Sequence, residues 1–296
     1  MLLYFDEDRV NAITIAEGAA MNCAPIHRHS FPDGELKLRL PSSLPERVVL
    51  LRSLDHPNEK LLELLLVAGT ARQLGASHLT LVAPYLAYMR QDKAFEPGEV
   101  VSQHVIGHFL ATLFDAVVTA DPHLHRVATL QEAVPVSEAI VLSAAPLLSD
   151  LIATHHLHPL LLGPDEESAQ WVALAASRHG FDHGVCRKKR KGDRDVDIAL
   201  PPIRFAGRCV VLIDDVASSG HTLARATRML LVAGAASVDV ALTHALFAGD
   251  AWQILQEAGV RYVWSTDCIT HSSNAVSMNA CFAQALIDLN SRKTDL

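Results

Sequence analysis

The stretch Val210-Val211-Leu212-Ile213-Asp214-Asp215-Val216-Ala217-Ser218-Ser219-Gly220-His221-Thr222-Leu223 holds the residue types best suited to chemistry. Four apolar, largely β-branched residues read as a buried strand. Two adjacent carboxylates close it. A run of small hydroxyl residues and a glycine then opens into Leu223 to Ala233, which has helical spacing. In open α/β sheets, ligands sit beyond the carboxyl ends of strands. A tight loop entering a helix presents backbone N–H groups and the positive end of the helix dipole to a phosphate. Asp214 and Asp215 then face the hydroxyls of a sugar attached to that phosphate, and the chemistry suggested is recognition of a phosphorylated ribose.

Three further groups of residues lie in similar positions. Pro84 to Lys93 follows a strand-like run. Its Arg90 and Lys93 bring charge, and its Gln91 and Asp92 bring hydrogen-bonding groups, the mix that a nucleotide's base edge and phosphates need. The same residues also suit a solvated strand-to-helix loop. Asp121-Pro122-His123-Leu124-His125 also follows a strand. An Asp and a His there suit Mg²⁺ held with phosphate oxygens, or a capping Asp beside surface histidines. Arg187 to Asp195 is the only dense basic run in an acidic chain. Basic clamps on a transferring phosphoryl group are a main catalytic device, whereas an isolated basic run is usually a solvated loop. Its place just before the sugar-phosphate loop favours catalysis.

These loops need a scaffold, and the chain supplies an alternating one. Strand-like runs at 48–51, 78–84, 116–121, 139–143, 160–165, 210–213, 237–244 and 262–264 alternate with helical spacing at 58–74, 100–113, 146–152, 167–178, 223–233, 251–258 and 280–289. That rhythm is the βαβ signature of a parallel sheet. The length of 296 residues allows two domains. The halves are expected at 1–140 and 141–296, meeting near Val136 to Ala145, with no Gly/Ser- or Pro-rich linker between them.

Composition excludes several classes. Lys and Arg number 25 against 33 Asp and Glu, a net charge of −8 that lacks the basic footprint of a nucleic-acid binder. No uninterrupted apolar run reaches transmembrane length, and the opening Met1 to Asp8 is too acidic for a signal peptide. The 5 cysteines are scattered without a C-x-x-C, which favours neither a disulfide framework nor a zinc site. A reduced, cytoplasmic protein is expected. Most of the 16 histidines read as surface residues.

The pieces, in this order and over nearly the whole chain, resemble the ribose-phosphate pyrophosphokinases (phosphoribosyl pyrophosphate synthetases), in wording closest to a shorter, archaeal-like branch. Phe31-Pro32-Asp33-Gly34-Glu35, Pro84 to Lys93, Asp121-Pro122-His123, Gly163-Pro164-Asp165, Lys188-Lys189-Arg190, Asp214 to Thr222, Thr243 to Gly249 and Thr266 to Ile269 carry the resemblance. It implies two type I phosphoribosyltransferase-like α/β domains with largely parallel sheets flanked by helices. It implies transfer of the β,γ-pyrophosphoryl group of ATP to the anomeric hydroxyl of ribose 5-phosphate, with Mg²⁺ as cofactor and a homodimer or larger homo-oligomer. By position, Phe31, Asp33, Glu35, Arg90, Gln91 and Asp92 contact ATP, and His123 and Asp165 handle the metal and the ribose. Asp214 and Asp215 hold the 2′- and 3′-hydroxyls. Ser218, Ser219, Gly220, His221 and Thr222 cradle the 5′-phosphate, and Lys188 and Arg190 neutralise the transition state. Two departures stand out. His221 occupies a position that is usually Gly, where a side chain either narrows the loop or adds a donor. Glu166-Glu167-Ser168 replaces a Gly-rich turn and adds acidic charge. A phosphoribosyltransferase remains an alternative, although it has no need of ATP-like segments at Phe31 and Arg90. A non-catalytic regulatory member also remains, although Lys188, Arg190 and His123 are retained.

Overall fold

The computed structural model describes residues 1–190 and 196–291. The first part of the chain forms β1 (Leu2–Tyr4), α1 (Arg9–Gly18), β2 (Cys23–Pro25), β3 (His27–Ser30), β4 (Leu36–Arg39) and β5 (Arg47–Leu51). It continues through α2 (Pro57–Gln73), β6 (His78–Ala83), α3 (Ser102–Leu113), β7 (Ala116–Ala120), α4 (Leu130–Ala133) and β8 (Glu138–Leu142). The second part forms α5 (Ala145–His155), β9 (Leu160–Gly163), α6 (Ala169–His179), β10 (Asp182–Val185), β11 (Arg187–Arg190) and β12 (Val196–Ala199). After these come β13 (Cys209–Ala217), α7 (His221–Val232), β14 (Ser237–Ala245), α8 (Ala251–Glu257), β15 (Val263–Thr266), β16 (Asn274–Val276) and the last helix, α9 (Asn279–Ser291).

Two units result, each with its own parallel sheet. The first sheet runs β2-β1-β5-β6-β7-β8 and the second β10-β9-β13-β14-β15-β16. Every pairing within them is parallel. The central strands are continuous apolar runs because crossover helices cover both faces. Val48 to Leu51, Leu79 to Ala83 and Leu160 to Leu162 are buried accordingly. In the second unit the core joins Leu160, Leu162, Val210, Leu212, Val238, Val240 and Leu242 to the inner face of α7. Two antiparallel ribbons, β3–β4 and β11–β12, stand apart from the sheets. Among the described residues no helix is long and apolar enough to cross a membrane.

The structure departs from the sequence expectations in four places. The units are Met1–Leu142 joined by the segment that opens at Met278, and Ser143–Ser277, so the second does not run from 141 to 296. The cause is α9, whose Phe282, Ala283, Ala285, Leu286 and Leu289 are buried and which packs on α1. The approach is close: a Cβ at Gly18 would stand 2.9 Å from that of Ala283. The short elements before Arg47 carry too little periodicity to be read from sequence. The basic run, expected as a loop, enters a strand at Arg187–Arg190 paired with Val196–Ala199, and its Lys191 to Asp195 lie outside the described residues. Finally, β13 does not stop at Ile213 but continues through both aspartates to Ala217.

Candidate functional site

The second unit concentrates carboxylates at the carboxyl ends of two neighbouring strands, β9 and β13. Asp165 follows β9 in a tightly determined turn. The Ser168 hydroxyl donates to the Asp165 carbonyl at 2.6 Å, and the Glu167 N–H donates to Asp165 Oδ1 at 3.1 Å. Gly163 makes room for this, since a Cβ there would lie 2.2 Å from Ser168 Oγ. On β13, Asp214 Oδ1 accepts from the Asp215 N–H at 3.1 Å, and Asp215 is almost fully buried. Burial, then the nearby Asp215 and Asp165 carboxylates, push the Asp214 carboxyl well above its ordinary range. The trio therefore favours partners that bring hydroxyl donors or positive charge. Cys186 is fully buried; burial and then the Asp165 charge push its thiol up to about 12, so it stays protonated and is no nucleophile.

Beyond Ala217 the chain turns into α7. Gly220 caps the helix with φ +72°, a left-handed conformation, and no side chain caps the first turn. A Cβ at Gly220 would stand 3.1 Å from the Ala251 carbonyl oxygen. Ser219 and His221 are exposed at this turn, while Ser218 and Thr222 are half-buried. Asp165, Asp214, Asp215 and Ser218 to Thr222 are thus brought to one end of one sheet. Lys188 and Arg190 lie on β11, in register with Ile198 and Val196.

The nucleotide candidates sit on separate elements of the first unit. Phe31 to Glu35 is the tip of the β3–β4 ribbon. It is closed by Phe31 N–H to the Glu35 carbonyl (2.8 Å), Gly34 N–H to the Phe31 carbonyl (2.9 Å) and Glu35 N–H to Asp33 Oδ1 (3.1 Å). Phe31 is 42% exposed, with the His29 ring edge-on to its own at 5.0 Å. Arg90, Gln91 and Asp92 follow β6 in a loop tied to α3. The Gln103 N–H donates to the Gln91 carbonyl at 3.2 Å, and its side-chain amide donates to the Met89 carbonyl at 3.1 Å. Asp92 also faces Arg126 at 3.3 Å. His123 and His125 meet ring to ring, Nε2 to Nε2 at 2.6 Å.

Two supporting groups escaped the sequence reading. Gln103 is a buried polar residue within an amphipathic helix, and in sequence it reads as one more polar position on the solvent face. The second group is an ion-pair cluster. Arg52, 2% exposed, meets Glu63 at 2.6 Å, Asp8 at 3.0 Å and Glu7 at 3.3 Å, and lies over the Phe5 ring. Arg28 of β3 joins it through Glu63 at 2.5 Å and Glu7 at 2.7 Å, so the base of the ribbon is anchored here. Its members are scattered over some sixty positions of sequence with no shared motif.

Two α/β units with parallel six-stranded sheets, the second carrying acidic strand ends beside an uncapped helix, define a protein of the phosphoribosyltransferase type. A family model for the N-terminal domain of ribose phosphate pyrophosphokinase matches residues 1–113, and one for the phosphoribosyl transferase domain matches residues 136–274. A ribose-phosphate pyrophosphokinase from Methanopyrus kandleri is 33% identical over 93% of this chain and 94% of its own. One from Halobacterium salinarum is 34% identical over 97% of this chain and 100% of its own. The chain belongs to the ribose-phosphate pyrophosphokinase family. The crystal structure of phosphoribosylpyrophosphate synthetase from Mycobacterium smegmatis has the same fold, with a TM-score of 0.86 at 23% identity over 99% of each chain.

Proposed function

We propose that the protein transfers the β,γ-pyrophosphoryl group of ATP to the anomeric hydroxyl of ribose 5-phosphate, giving phosphoribosyl pyrophosphate and AMP. The observation that carries this reading is the crowded Asp165–Asp214–Asp215 trio beside the uncapped, Gly220-turned start of α7. Backbone N–H groups of Ser218 to Thr222 hold the 5′-phosphate, with His221 as an additional donor. Asp214 and Asp215 accept from the 2′- and 3′-hydroxyls, and each hydroxyl donor relieves the repulsion among the carboxylates. Phe31 offers a face to adenine, while Asp33, Glu35, Arg90, Gln91 and Asp92 orient the nucleotide.

The anomeric hydroxyl oxygen then attacks the β-phosphorus and gives up its proton to water, and the bond from that phosphorus to the bridging oxygen on the α-phosphate breaks, releasing AMP. Such transfers depend on alignment and on neutralising charge in the transition state. Lys188 and Arg190 supply that neutralisation. Mg²⁺, when bound, screens the triphosphate. The oxygen-rich trio suits this hard cation, with Asp165 as the carboxylate that would hold it, whereas imidazole is the softer donor. His123 therefore serves better as a partner to phosphate oxygens. A cytoplasmic homodimer or larger homo-oligomer completes the reading.

Incubation of the purified protein with ATP, ribose 5-phosphate and divalent metals tests the reaction. AMP and phosphoribosyl pyrophosphate in equal amounts, dependent on both substrates, are expected. No product with any metal sinks the reading.

A further inference from the structure

The phosphate loop is gripped by a strap that follows β14. Phe247 has φ +37°, which a bulky L-residue rarely adopts. From this bend the Phe247 N–H donates to the Ala217 carbonyl at 2.9 Å and the Ala248 N–H donates to the Ser218 carbonyl at 3.0 Å. Further along, the Ala251 carbonyl closes on Gly220. Residues 217 and 218 are therefore hydrogen-bonded by residues 247 and 248, and residue 251 lies close against Gly220.

Backbone strain of this kind persists only where the surroundings over-determine it. Here the surroundings are aromatic. The Phe247 ring meets Trp252 edge-on at 5.4 Å and His271 at 4.8 Å, and Trp252 meets His271 at 5.0 Å. His271 is fixed in turn. The Ser273 N–H donates to its Nδ1 at 3.1 Å, and its own N–H donates to Asn274 Oδ1 at 2.9 Å. Asn274 continues the chain of contacts through its amide to the Thr266 carbonyl at 2.6 Å, on β15. Burial holds the His271 pKa below its ordinary value, which keeps the ring neutral for this packing.

We propose that Phe247, Trp252 and His271 are positioning residues for ribose 5-phosphate: they hold the 247–251 strap against Ala217 to Gly220 and so pre-order the N–H groups that bind the 5′-phosphate. This rests on the functional reading above. The loop is built of small residues and carries no side-chain cap, so its order must come from outside. Ordering it before binding lowers the entropic cost of capturing phosphate.

The test measures ribose 5-phosphate affinity by calorimetry, both KM values, and amide exchange over 218–223, in the full chain. Trp252→Leu is expected to weaken ribose 5-phosphate binding and raise its KM by about tenfold or more, with the KM for ATP unchanged and loop amides exchanging faster. Phe247→Tyr, which keeps the ring, is expected to bind as the parent does. Should Trp252→Leu fail to fold, His271→Leu serves in its place with the same expectation. A folded variant with unchanged ribose 5-phosphate affinity, or with both KM values raised alike, overturns the inference while leaving the functional reading intact. A parent protein that binds no ribose 5-phosphate overturns both.

Discussion

Asp214 concentrates the conflict between stability and function at a single residue. Its carboxyl titrates higher in the folded chain than the ordinary 3.8, because burial and two neighbouring carboxylates disfavour the charged form. Below the unfolded value both states are protonated and the site causes no loss. As pH rises through the folded value, the native state must ionise a crowded carboxyl that the unfolded chain ionises freely, and stability falls. Asp214→Asn is therefore expected to raise Tm at pH 8, with the gain shrinking toward pH 4, while ribose 5-phosphate affinity drops. Melts at several pH values check the first part, and a Tm gain independent of pH contradicts it. Lys188 sits on the other side of the proposed chemistry. If its charge acts mainly in the transition state, Lys188→Ala lowers kcat far more than it raises either KM. Steady-state kinetics with unchanged turnover would remove β11 from the mechanism.

Elements matter because each candidate side chain is only as well placed as the strand end or ribbon that carries it. The β3–β4 ribbon pairs with neither sheet, and its fixed point is the Arg28–Arg52–Glu63 cluster with Glu7 and Asp8. Burial outweighs the attraction of Arg52 and pushes Asp8 up to about 6, so the cluster is finely balanced. Removing one partner of a buried pair costs more than the pair contributes, about 3–5 kcal/mol. Arg52→Met should lower Tm accordingly, and adding Glu63→Leu should recover part of the loss. A single variant that melts like the parent contradicts this account. Arg28→Ala, which frees the ribbon but leaves Arg52 on Glu63, should raise the KM for ATP and spare that for ribose 5-phosphate. The anchor shows why some of the structure was legible in sequence and some was not. The buried strands at 48–51, 78–83, 160–163 and 237–245 and the helices after them are long apolar or periodic runs, so local pattern reports them. The turn from β13 into α7 was legible because its Asp, Ser and Gly are contiguous. The three-residue strands β1 and β2, the ribbon's Arg28–Glu63 tie and the Gln103 clamp depend on partners distant in sequence, and no local pattern records them.

At the scale of the whole molecule, the two units differ in how the chain completes them. The second unit is one uninterrupted segment with its own core. The first lacks α9 until the chain has passed through the second and returned. That helix is tied to the first unit by the Asn279 amide to Asn11 Oδ1 at 3.1 Å and by Arg47 Nε to Asn290 Oδ1 at 3.1 Å. Its Phe282, Leu286 and Leu289 are each 1% exposed. At about 1.5–3 kcal/mol for each fully buried side chain, the three contribute roughly 5–9 kcal/mol, comparable with the whole stability of an ordinary domain. A fragment of residues 143–277 is therefore expected to melt cooperatively, because it keeps every strand of its sheet. A fragment of residues 1–142 keeps every strand of its own sheet too, yet uncovers α1. It should show exposed apolar surface by dye binding and no sharp transition, and an added peptide of residues 278–291 should reverse both. Calorimetry of the fragments decides the matter: a 1–142 fragment that melts as sharply as the first unit does in the intact chain shows that α9 is an accessory to that unit and not part of its core.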